Sequence, residues 1–521
     1  MSKFLKGTFI LLIAGLVTRV LGFINRIVIA RFIGEEGVGL YMMAFPTLIL
    51  VVTITQLGLP VAISKNVAEA EARGDYAKIK KILVVSLATT ISLSIVFTPA
   101  LLFLAPYLSN TLFTDPRTHL PLMAIAPIVP IVAVSSVLRG YFQGRQNMRP
   151  SAISQVIEQL VRITLIAVLT KTFMPYGIEY AAAAAMVASV LGELASLLYL
   201  MTTFKLRKKF RLRKNFFQYV HSGKSTFNEL MGIALPTTGS RMIGSVSWFF
   251  EPIVVAHSLA IAGVAAVAAT KQYGALTGFA MPLLLLPSFI TYSLSTSLVP
   301  AISEANSKKN GKVIEHLLQQ SLRFSLLTGG LSVVVLYVLA EPLMTLMYGT
   351  SNGSQFIKLM APFFLFYYFQ GPLQAALQAL DLARAAMINS LIGNVAKTAV
   401  IFLLASQPAF GINGAALGMV MGIVLITLLH FATMLKAVSF TFYVMDYVKT
   451  FAVIALAGLA GFLLWDVYGE GTSLAVRILI TAAAISVIYI SLAMALGLIK
   501  KHEVRRVLSV FTSFLKKPLF K

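Results

Sequence analysis

The sequence predicts an all-α polytopic membrane protein with about 14 transmembrane helices. Hydrophobic residues make up 58% of the 521 residues and charged residues only 12%, whereas a soluble protein of this length needs far more polar surface. A bilayer core about 30 Å thick requires roughly 20 apolar residues per helix, and apolar runs of that length recur along the whole chain. The net charge of +24 is concentrated in particular loops and not on one surface, which indicates membrane topology rather than nucleic-acid binding.

The apolar runs place the helices in order, with the N- and C-termini cytoplasmic. The first run lacks a small-residue cleavage site and continues into RIVIARFIG, so we interpret it as a retained helix and not as a signal peptide. Basic residues then collect in the predicted inside loops, chiefly in KLRKKFRLRK at 205–214 and in KKHEVRR near the end of the chain. The predicted spans are 8–32, 37–60, 82–105, 120–142, 151–174, 178–200, 229–256, 273–300, 314–339, 355–379, 385–405, 412–435, 448–467 and 474–499.

Composition and missing motifs exclude several kinds of chemistry. The chain has no cysteine and six scattered histidines, so we expect no disulfide, no metal site and no thiol catalysis. The sequence has no GxxxxGK[ST] motif for ATP phosphates and no exposed acid cluster for a metal-bound nucleotide sugar. We therefore predict a protein that is not an enzyme and that has no cofactor.

An internal repeat relates the two halves of the chain. Each match is short, but the matches keep their order and their offsets are similar, so we take the repeat as real. The matches are TRVLG at 18–22 with SRMIG at 240–244, PVAIS at 60–64 with PAIS at 300–303, YGIEYAA at 176–182 with FGINGAA at 410–416, and Gln143, Arg149 and Arg162 with Gln378, Arg384 and Lys397.

Six helices in each repeat imply two lobes related by an axis along the membrane normal, with a central cavity between them. The basic linker between the two lobes, at 206–228, has two interpretations. It is either a positive-inside loop or interfacial helix, or a contact for lipid headgroups. The C-terminal tail, at 501–521, has apolar residues on one helical face beside Lys and Arg. This pattern is typical of a helix that lies on the cytoplasmic surface of the membrane. The predicted domains are 1–205 (N-lobe), 206–228 (linker), 229–440 (C-lobe), 441–500 (helices 13 and 14) and 501–521 (tail).

Three arginines interrupt the apolar stretch GLVTRVLGFINRIVIARFIG at 15–34. Arg19 lies about ten residues into its helix, roughly 15 Å along it, near the bilayer midplane. A charge at that depth costs at least about 2.5 to 3.5 kcal/mol, so its side chain is expected to face a wet cavity or a partner. Arg26 follows two turns later on the same face, with Asn25 beside it, and Arg31 is predicted to be an interfacial anchor.

Arg241 occupies the position equivalent to Arg19 in the second half of the repeat. Two arginine forks from opposite lobes suit an anion with several oxygens, such as a pyrophosphate. Arg19, Asn25, Arg26 and Arg241 are therefore the predicted substrate-binding residues. In the alternative interpretation each arginine pairs with an acid and holds helices together. The acids available within the predicted spans are Glu158, Glu193 and Glu251.

Five further charges are candidates for ion coupling or for lining the cavity. Glu158 and Arg162 stand four residues apart on one helix and are expected to pair. Glu251 precedes a proline in WFFEPIVV, and it is either a proton- or cation-coupling carboxylate or a residue capping a kink. Lys271 and Lys397 complete this set.

Four stretches resemble the sporulation branch of the polysaccharide flippases, in the multidrug/oligosaccharidyl-lipid/polysaccharide (MOP) exporter superfamily. They are TRVLGFINRIVIARFIGEEGVGLY, GLPVAISKNVAEAEARGD, LRGYFQGRQNM and QGPLQAALQAL, and the likeness covers essentially the whole chain. The resemblance implies a MATE-like fold of two six-helix lobes plus two helices in the bacterial cell membrane. It also implies alternating access and translocation of a lipid-linked peptidoglycan precursor for the spore cortex.

The same resemblance bears on the site residues. In the related lipid II flippases, basic residues of the first helix line a cationic cavity, and Arg19 in TRVLGF matches the family arginine. An acid follows a second basic position in those relatives, whereas this chain has Asn25 and Arg26 there. The relatives also carry an arginine shortly before Leu-Pro-Ser in the eighth helix. MPLLLLPS in this chain is apolar, so that contact is either missing or moved to Lys271 or Arg241.

The leading prediction is a flippase that moves an undecaprenyl-pyrophosphate-linked glycan, identified through the resemblance as lipid II. Its expected partners are that substrate and membrane lipids, with cell-wall synthesis enzymes as further candidates and no nucleic acid. One alternative is a multidrug or organic-cation antiporter of the same fold, whose cargo would need intramembrane acids and an aromatic cage. The excess of arginines over acids opposes it. The other alternative is a non-transporting scaffold for cell-envelope assembly.

Overall fold

The computed structural model describes residues 3–207, 216–438, 444–467 and 472–499, and every regular element within these ranges is a helix. The predicted all-α fold class is confirmed. The predicted amphipathic tail at 501–521 lies outside the described residues. The helices are α1 (Lys3–Gln56), α2 (Leu59–Ala72), α3 (Tyr76–Tyr107), α4 (His119–Ile125), α5 (Ile128–Gly144), α6 (Arg149–Phe173), α7 (Ile178–Arg207), α8 (Phe216–His221), α9 (Lys224–Ile261), α10 (Ala266–Gly274), α11 (Met281–Leu285), α12 (Ser288–Ser307), α13 (Gly311–Val338), α14 (Ala340–Tyr348), α15 (Ser354–Ala379), α16 (Ala383–Ala405), α17 (Gly411–Ala437), α18 (Val444–Val467) and α19 (Leu474–Ala495).

The structure does not confirm the predicted number of fourteen membrane spans. Among the described residues, eleven helices are long and apolar enough to cross a bilayer, or twelve if one bent pair counts as a span, so the exact number of fourteen is not confirmed. The predicted spans 8–32 and 37–60 lie on the two sides of Gly34, where the backbone of α1 is non-helical, and the second extends past the end of α1 at Gln56. The predicted span 355–379 does form a helix, α15, but it is not among the eleven.

A glycine breaks α1 into two arms. Gly34 has φ 64° and ψ −174°, a backbone conformation that residues with a Cβ rarely adopt. The chain therefore turns at this residue, and Glu35 and Glu36 follow directly at the start of the second arm.

The second arm of α1 packs backbone to backbone against α10. A Cβ added at Gly39 would lie 2.1 Å from the carbonyl oxygen of Thr270, and one added at Gly274 would lie 2.0 Å from the carbonyl oxygen of Glu35. No side chain fits at either contact. This approach places Thr270 beside the turn that follows Gly34.

The chain forms two compact units. The first comprises Met1–Pro282 and Ser390–Gly422, and the second comprises Leu283–Asn389 and Ile423–Lys521. All candidate site residues belong to the first unit. The predicted boundaries of the lobes rest on the sequence repeat and stay a prediction.

Each unit has its own apolar core. The core of the first unit joins α2, α3, α5, α7 and α9, and the core of the second joins α13, α18 and α19. Burial of these side chains provides the main favourable term for packing the helices that carry the polar sites. Central members of the two cores are Ile63, Leu83, Tyr141 and Leu230 in the first unit, and Val453, Ile485 and Tyr489 in the second.

Candidate functional site

One face of the first arm of α1 is open and basic. Gly15, Arg19, Gly22 and Arg26 follow one another at spacings of four, three and four, so they share a helical face. Arg19 is exposed and Arg26 is half-buried. A Cβ added at either glycine would meet no atom within 4 Å. These four residues are termed the basic face.

The residues of this helical face become buried toward the turn at Gly34. Ala30 and Ile33 continue the same face at spacings of four and three, and they are only 2% and 1% exposed. Exposure therefore falls along one face of one helix, from Arg19 through Arg26 to Ile33. This face is therefore open near the N-terminal end of α1 and buried at the turn.

Arg241 lies on the side of α9 that faces α1. Ser245, four residues further on, shares a hydrogen bond of 3.0 Å with Thr53 of α1. Thr238, three residues earlier, has its hydroxyl 3.0 Å from the Cβ position of Gly58. Residues three and four apart share a helix face, so the exposed Arg241 belongs to the face of α9 that meets the second arm of α1 and the residues after it.

Asn25 differs from its neighbour Arg26. Its side chain is buried, with 6% exposure, and its Oδ1 accepts no hydrogen bond from any described residue. One residue along an α-helix corresponds to a rotation of 100°. The structure therefore separates Asn25 from the open surface on which Arg19 lies.

An arginine that the sequence analysis missed connects the acids of α6 and α7. Nη2 of Arg139, in α5, donates to Glu193 Oε1 at 3.1 Å, to Glu158 Oε2 at 3.3 Å and to Ser196 Oγ at 2.9 Å. Arg162 donates to Glu158 Oε1 at 2.6 Å, as their spacing of four residues predicts. We term Arg139, Glu158, Arg162 and Glu193 the internal ion network. Its two cations and two acids balance, which is the arrangement that buried charges require.

Glu251 pairs with Lys397 across two helices. Nζ of Lys397, in α16, donates to Glu251 Oε2, in α9, at 2.6 Å, and the two side chains are only 15% and 11% exposed. The ammonium group thus occupies the place that a coupling cation would take at this carboxylate. All three acids that the alternative interpretation assigned to Arg19 and Arg241 are bound to Arg139, Arg162 or Lys397.

A second charged group lies at the Gly34 turn. Arg117 donates from Nε and Nη2 to the two oxygens of Asp115 at 3.0 and 2.8 Å, and its Nη1 donates to Glu36. Thr270 of α10 donates its hydroxyl to Asp115 Oδ2 at 2.7 Å. We term Glu36, Asp115, Arg117 and Thr270 the outer ion cluster.

The electrostatics of this cluster favour the charged form of Asp115. Burial alone raises the pKa of Asp115, but the hydrogen bonds from Arg117 and Thr270 outweigh burial and hold the pKa below its ordinary value. Lys271 lies beside the cluster, with Nζ 3.9 Å from Glu35 Oε2 and a side chain that is 55% exposed. The described residues contain no group of three or more His, Asp or Glu side chains that could hold a metal ion.

Known proteins are similar to this chain in sequence and in fold. The family model described as "Polysaccharide biosynthesis protein" matches residues 4–306, and the MatE model matches residues 242–403. Stage V sporulation protein B of Bacillus subtilis (strain 168) is 62% identical over 97% of this chain and 98% of that protein.

Two solved structures show the fold. A lipid II flippase MurJ in an inward closed conformation has a TM-score of 0.68 at 15% identity, covering 92% of this chain and 97% of its own. A multidrug resistance MATE family transporter of the MOP superfamily, in an inward-facing conformation, has a TM-score of 0.63 at 14% identity, covering 80% and 93%.

Proposed function

Because this chain belongs to the polysaccharide biosynthesis protein family and is a membrane flippase or transporter of the MOP superfamily, we propose that its substrate is an undecaprenyl-pyrophosphate-linked glycan. The specific substrate that we propose is lipid II, moved across the cytoplasmic membrane by alternating access for synthesis of the spore cortex. The name of the sporulation relative and the name of the MurJ structure support this choice. Both chain termini are cytoplasmic in this proposal, and cell-wall synthesis enzymes are candidate partners.

The observation that carries the proposal is the open basic face of α1. Arg19 and Arg26 line a surface with room beside it at Gly15 and Gly22. Cations within a hydrophobic span are costly unless they meet water or an anion. A pyrophosphate headgroup supplies the oxygens that arginine forks bind in pairs.

The proposed binding mode uses one arginine from each half of the repeat. Arg19 on α1 and Arg241 on α9 contact the pyrophosphate, while Arg26 lies further toward the buried end of the basic face and contacts the headgroup next. Asn25 is buried on another side of the helix, so it takes no part in this binding mode. The polyprenyl chain is as apolar as the bilayer core and stays in lipid during transport. The protein then needs to shield only the charged headgroup.

Four of the other candidate charges have a different role in this proposal. Glu158, Arg162, Glu251 and Lys397 each have a partner of opposite charge within the first unit. We assign them to holding helices together, because removing one member of a buried pair leaves an uncompensated charge. The basic face has the open surface that an anionic substrate needs.

A binding measurement tests the proposal directly. Purified wild type, Arg19→Ala and Arg241→Ala are each titrated with a polyprenyl-pyrophosphate glycan and with an organic cation. We expect the wild type to bind the lipid and each alanine variant to bind it about 10-fold more weakly or worse, because a hydrogen bond to a charged group contributes about 1.5 to 3 kcal/mol. Lysine at either position should recover only part of the affinity, since it lacks the fork.

Arg149→Ala is the matched control, because it removes an exposed arginine from the start of α6. It should bind the lipid as the wild type does. Equal lipid affinity in all variants would refute the clamp. Binding of the organic cation that ignores both substitutions would favour an antiporter of the same fold, and no binding of either ligand would favour a scaffold.

A further inference from the structure

We propose that Arg117 and Asp115 are positioning residues that hold the outer end of the transport cavity closed. Arg117 fastens the loop before α4 to Glu36 of α1, and Asp115 fastens the same loop to Thr270 of α10. The direction of transport through this gate rests on the proposed function, whereas the closure itself rests on the contacts alone.

The loop is organised before it meets either helix. Asp115 Oδ1 accepts a hydrogen bond from the backbone N–H of Arg117 at 3.1 Å and another from its Nε at 3.0 Å. The hydroxyl of Thr118 donates to the carbonyl oxygen of Asp115 at 2.8 Å. This double contact between carboxylate and guanidinium fixes the direction of the arginine fork. The remaining edge of the fork, Nη1, is left to contact Glu36.

The position of the outer ion cluster matches the closed end of the basic face. Ile33, the last residue of that face before the Gly34 turn, is 1% exposed, and Glu36 follows three residues later. Thr270 is held beside the turn by the close approach of its carbonyl oxygen to Gly39. Three separate segments, α1, the loop and α10, therefore converge at the buried end of the basic face.

The two kinds of contact in the cluster differ in strength. Asp115 has a side-chain exposure of only 3%, so its pair with Arg117 is shielded from solvent. The side chains of Arg117 and Glu36 are 25% and 32% exposed, and a partly hydrated ion pair is weaker than a shielded one. The Arg117–Glu36 contact is therefore the one that breaks first when the gate opens, while the pair within the loop stays intact. The hydrogen bond from Thr270 to Asp115 joins two buried side chains, so it is the firmer of the two ties. A partly hydrated ion pair can be made and broken in each cycle, which is what a gate between two states requires.

Site-directed labelling tests the gate without any substrate. The chain has no cysteine, so Gly22→Cys provides a single reporter on the basic face, where an added side chain meets open space. A membrane-impermeant maleimide is applied from the outer side to right-side-out vesicles containing this reporter. Combining the reporter with Arg117→Ala or Thr270→Val should raise the outer labelling rate about 5-fold or more, as for a typical coupling between two conformations.

Lys171→Ala is the control, because it removes an exposed cation near the end of α6, which is predicted to lie on the same side of the membrane. It should leave the labelling rate unchanged. Inside-out vesicles give the inner labelling rate of each variant for comparison, and a monodisperse peak in size-exclusion chromatography shows that the variant is folded. Arg117→Lys should fall between the wild type and alanine, because one ammonium cannot hold both carboxylates in the same geometry.

The outcomes separate this proposal from the function proposed above. Outer labelling that stays at the wild-type rate in both Arg117→Ala and Thr270→Val, with normal inner labelling, would overturn the gate. Raised outer labelling supports it even where Arg241→Ala leaves lipid binding unaffected. In that case the gate stands and the pyrophosphate clamp is refuted.

Discussion

Replacing Gly39 by alanine should destabilise the protein, although only one methyl group is added. That methyl would lie 2.1 Å from the carbonyl oxygen and 2.8 Å from the carbonyl carbon of Thr270. Both atoms belong to backbone, so no rotation of a side chain relieves the clash, and α10 has to move away from α1. Overpacking of this kind costs about 1 to 3 kcal/mol. Gly274→Ala should behave in the same way, because its methyl would lie 2.0 Å from the carbonyl oxygen of Glu35.

Gly22→Ala provides a control of opposite sign on the same helix. Its methyl would meet no atom within 4 Å, and alanine is favoured over glycine inside a helix by up to about 1 kcal/mol. The assay is the temperature at which the detergent-solubilised protein loses its monodisperse peak in size-exclusion chromatography. We expect the midpoint to fall for Gly39→Ala and Gly274→Ala and to stay or rise for Gly22→Ala. A midpoint for Gly39→Ala equal to that of Gly22→Ala would refute the close packing of α1 on α10.

Two further predictions concern the ion pairs. Lys397→Ala should lower the free energy of unfolding by about 3 to 5 kcal/mol, because it leaves the Glu251 carboxylate buried without its cation. The double variant with Glu251→Gln should recover most of the loss, and thermal midpoints of the four proteins measure the coupling. If Lys397→Ala is as stable as the wild type, the pair does not hold α16 to α9. The stability of the outer ion cluster should depend on pH. Because the pKa of Asp115 is lower in the folded protein than its ordinary value of 3.8, its contribution is present above that value and disappears as the pH falls through the lower folded pKa. The difference in midpoint between wild type and Asp115→Asn should therefore be constant near neutral pH and shrink below about pH 4. A difference that stays constant down to pH 2.5 would contradict this assignment.

The sequence was sufficient to predict the features that depend on local spacing. The length and number of apolar runs predict an all-α membrane protein, and the spacing of four residues predicts the pair of Glu158 with Arg162. Arg139 also had a local signal, since it stands eleven residues into the helix that begins at Ile128, where a lone cation needs a partner.

Other features depend on residues that are far apart in the chain. Glu36 and Arg117 are 81 positions apart, Asp115 and Thr270 are 155 apart, and Glu251 and Lys397 are 146 apart. No helical periodicity connects such positions, because their distance is set by how the helices pack. The sequence could therefore identify each charge as costly within or beside the membrane, but it could not identify the partner. The number of spans is not confirmed for a related reason, since the predicted spans 8–32 and 37–60 are separated only by the break at Gly34 and not by a loop.

The repeat explains why equivalent cations have different partners in the two halves. Arg162 and Lys397 are equivalent positions, and each pairs with a glutamate. In the first half the acid is Glu158, four residues earlier on the same helix. The residue four before Lys397 is Gly393, so no acid is available there, and the lysine instead reaches Glu251 on α9. The cation at this repeat position thus forms an ion pair within one helix in the first half and an ion pair between two helices in the second half. When Arg162 is removed, Glu158 still has Arg139 as an ion-pair partner. Among the described residues, the cation paired with Glu251 is Lys397. The lysine is therefore the position at which substitution should cost more, and an interpretation based on the repeat alone would have ranked the two as equal.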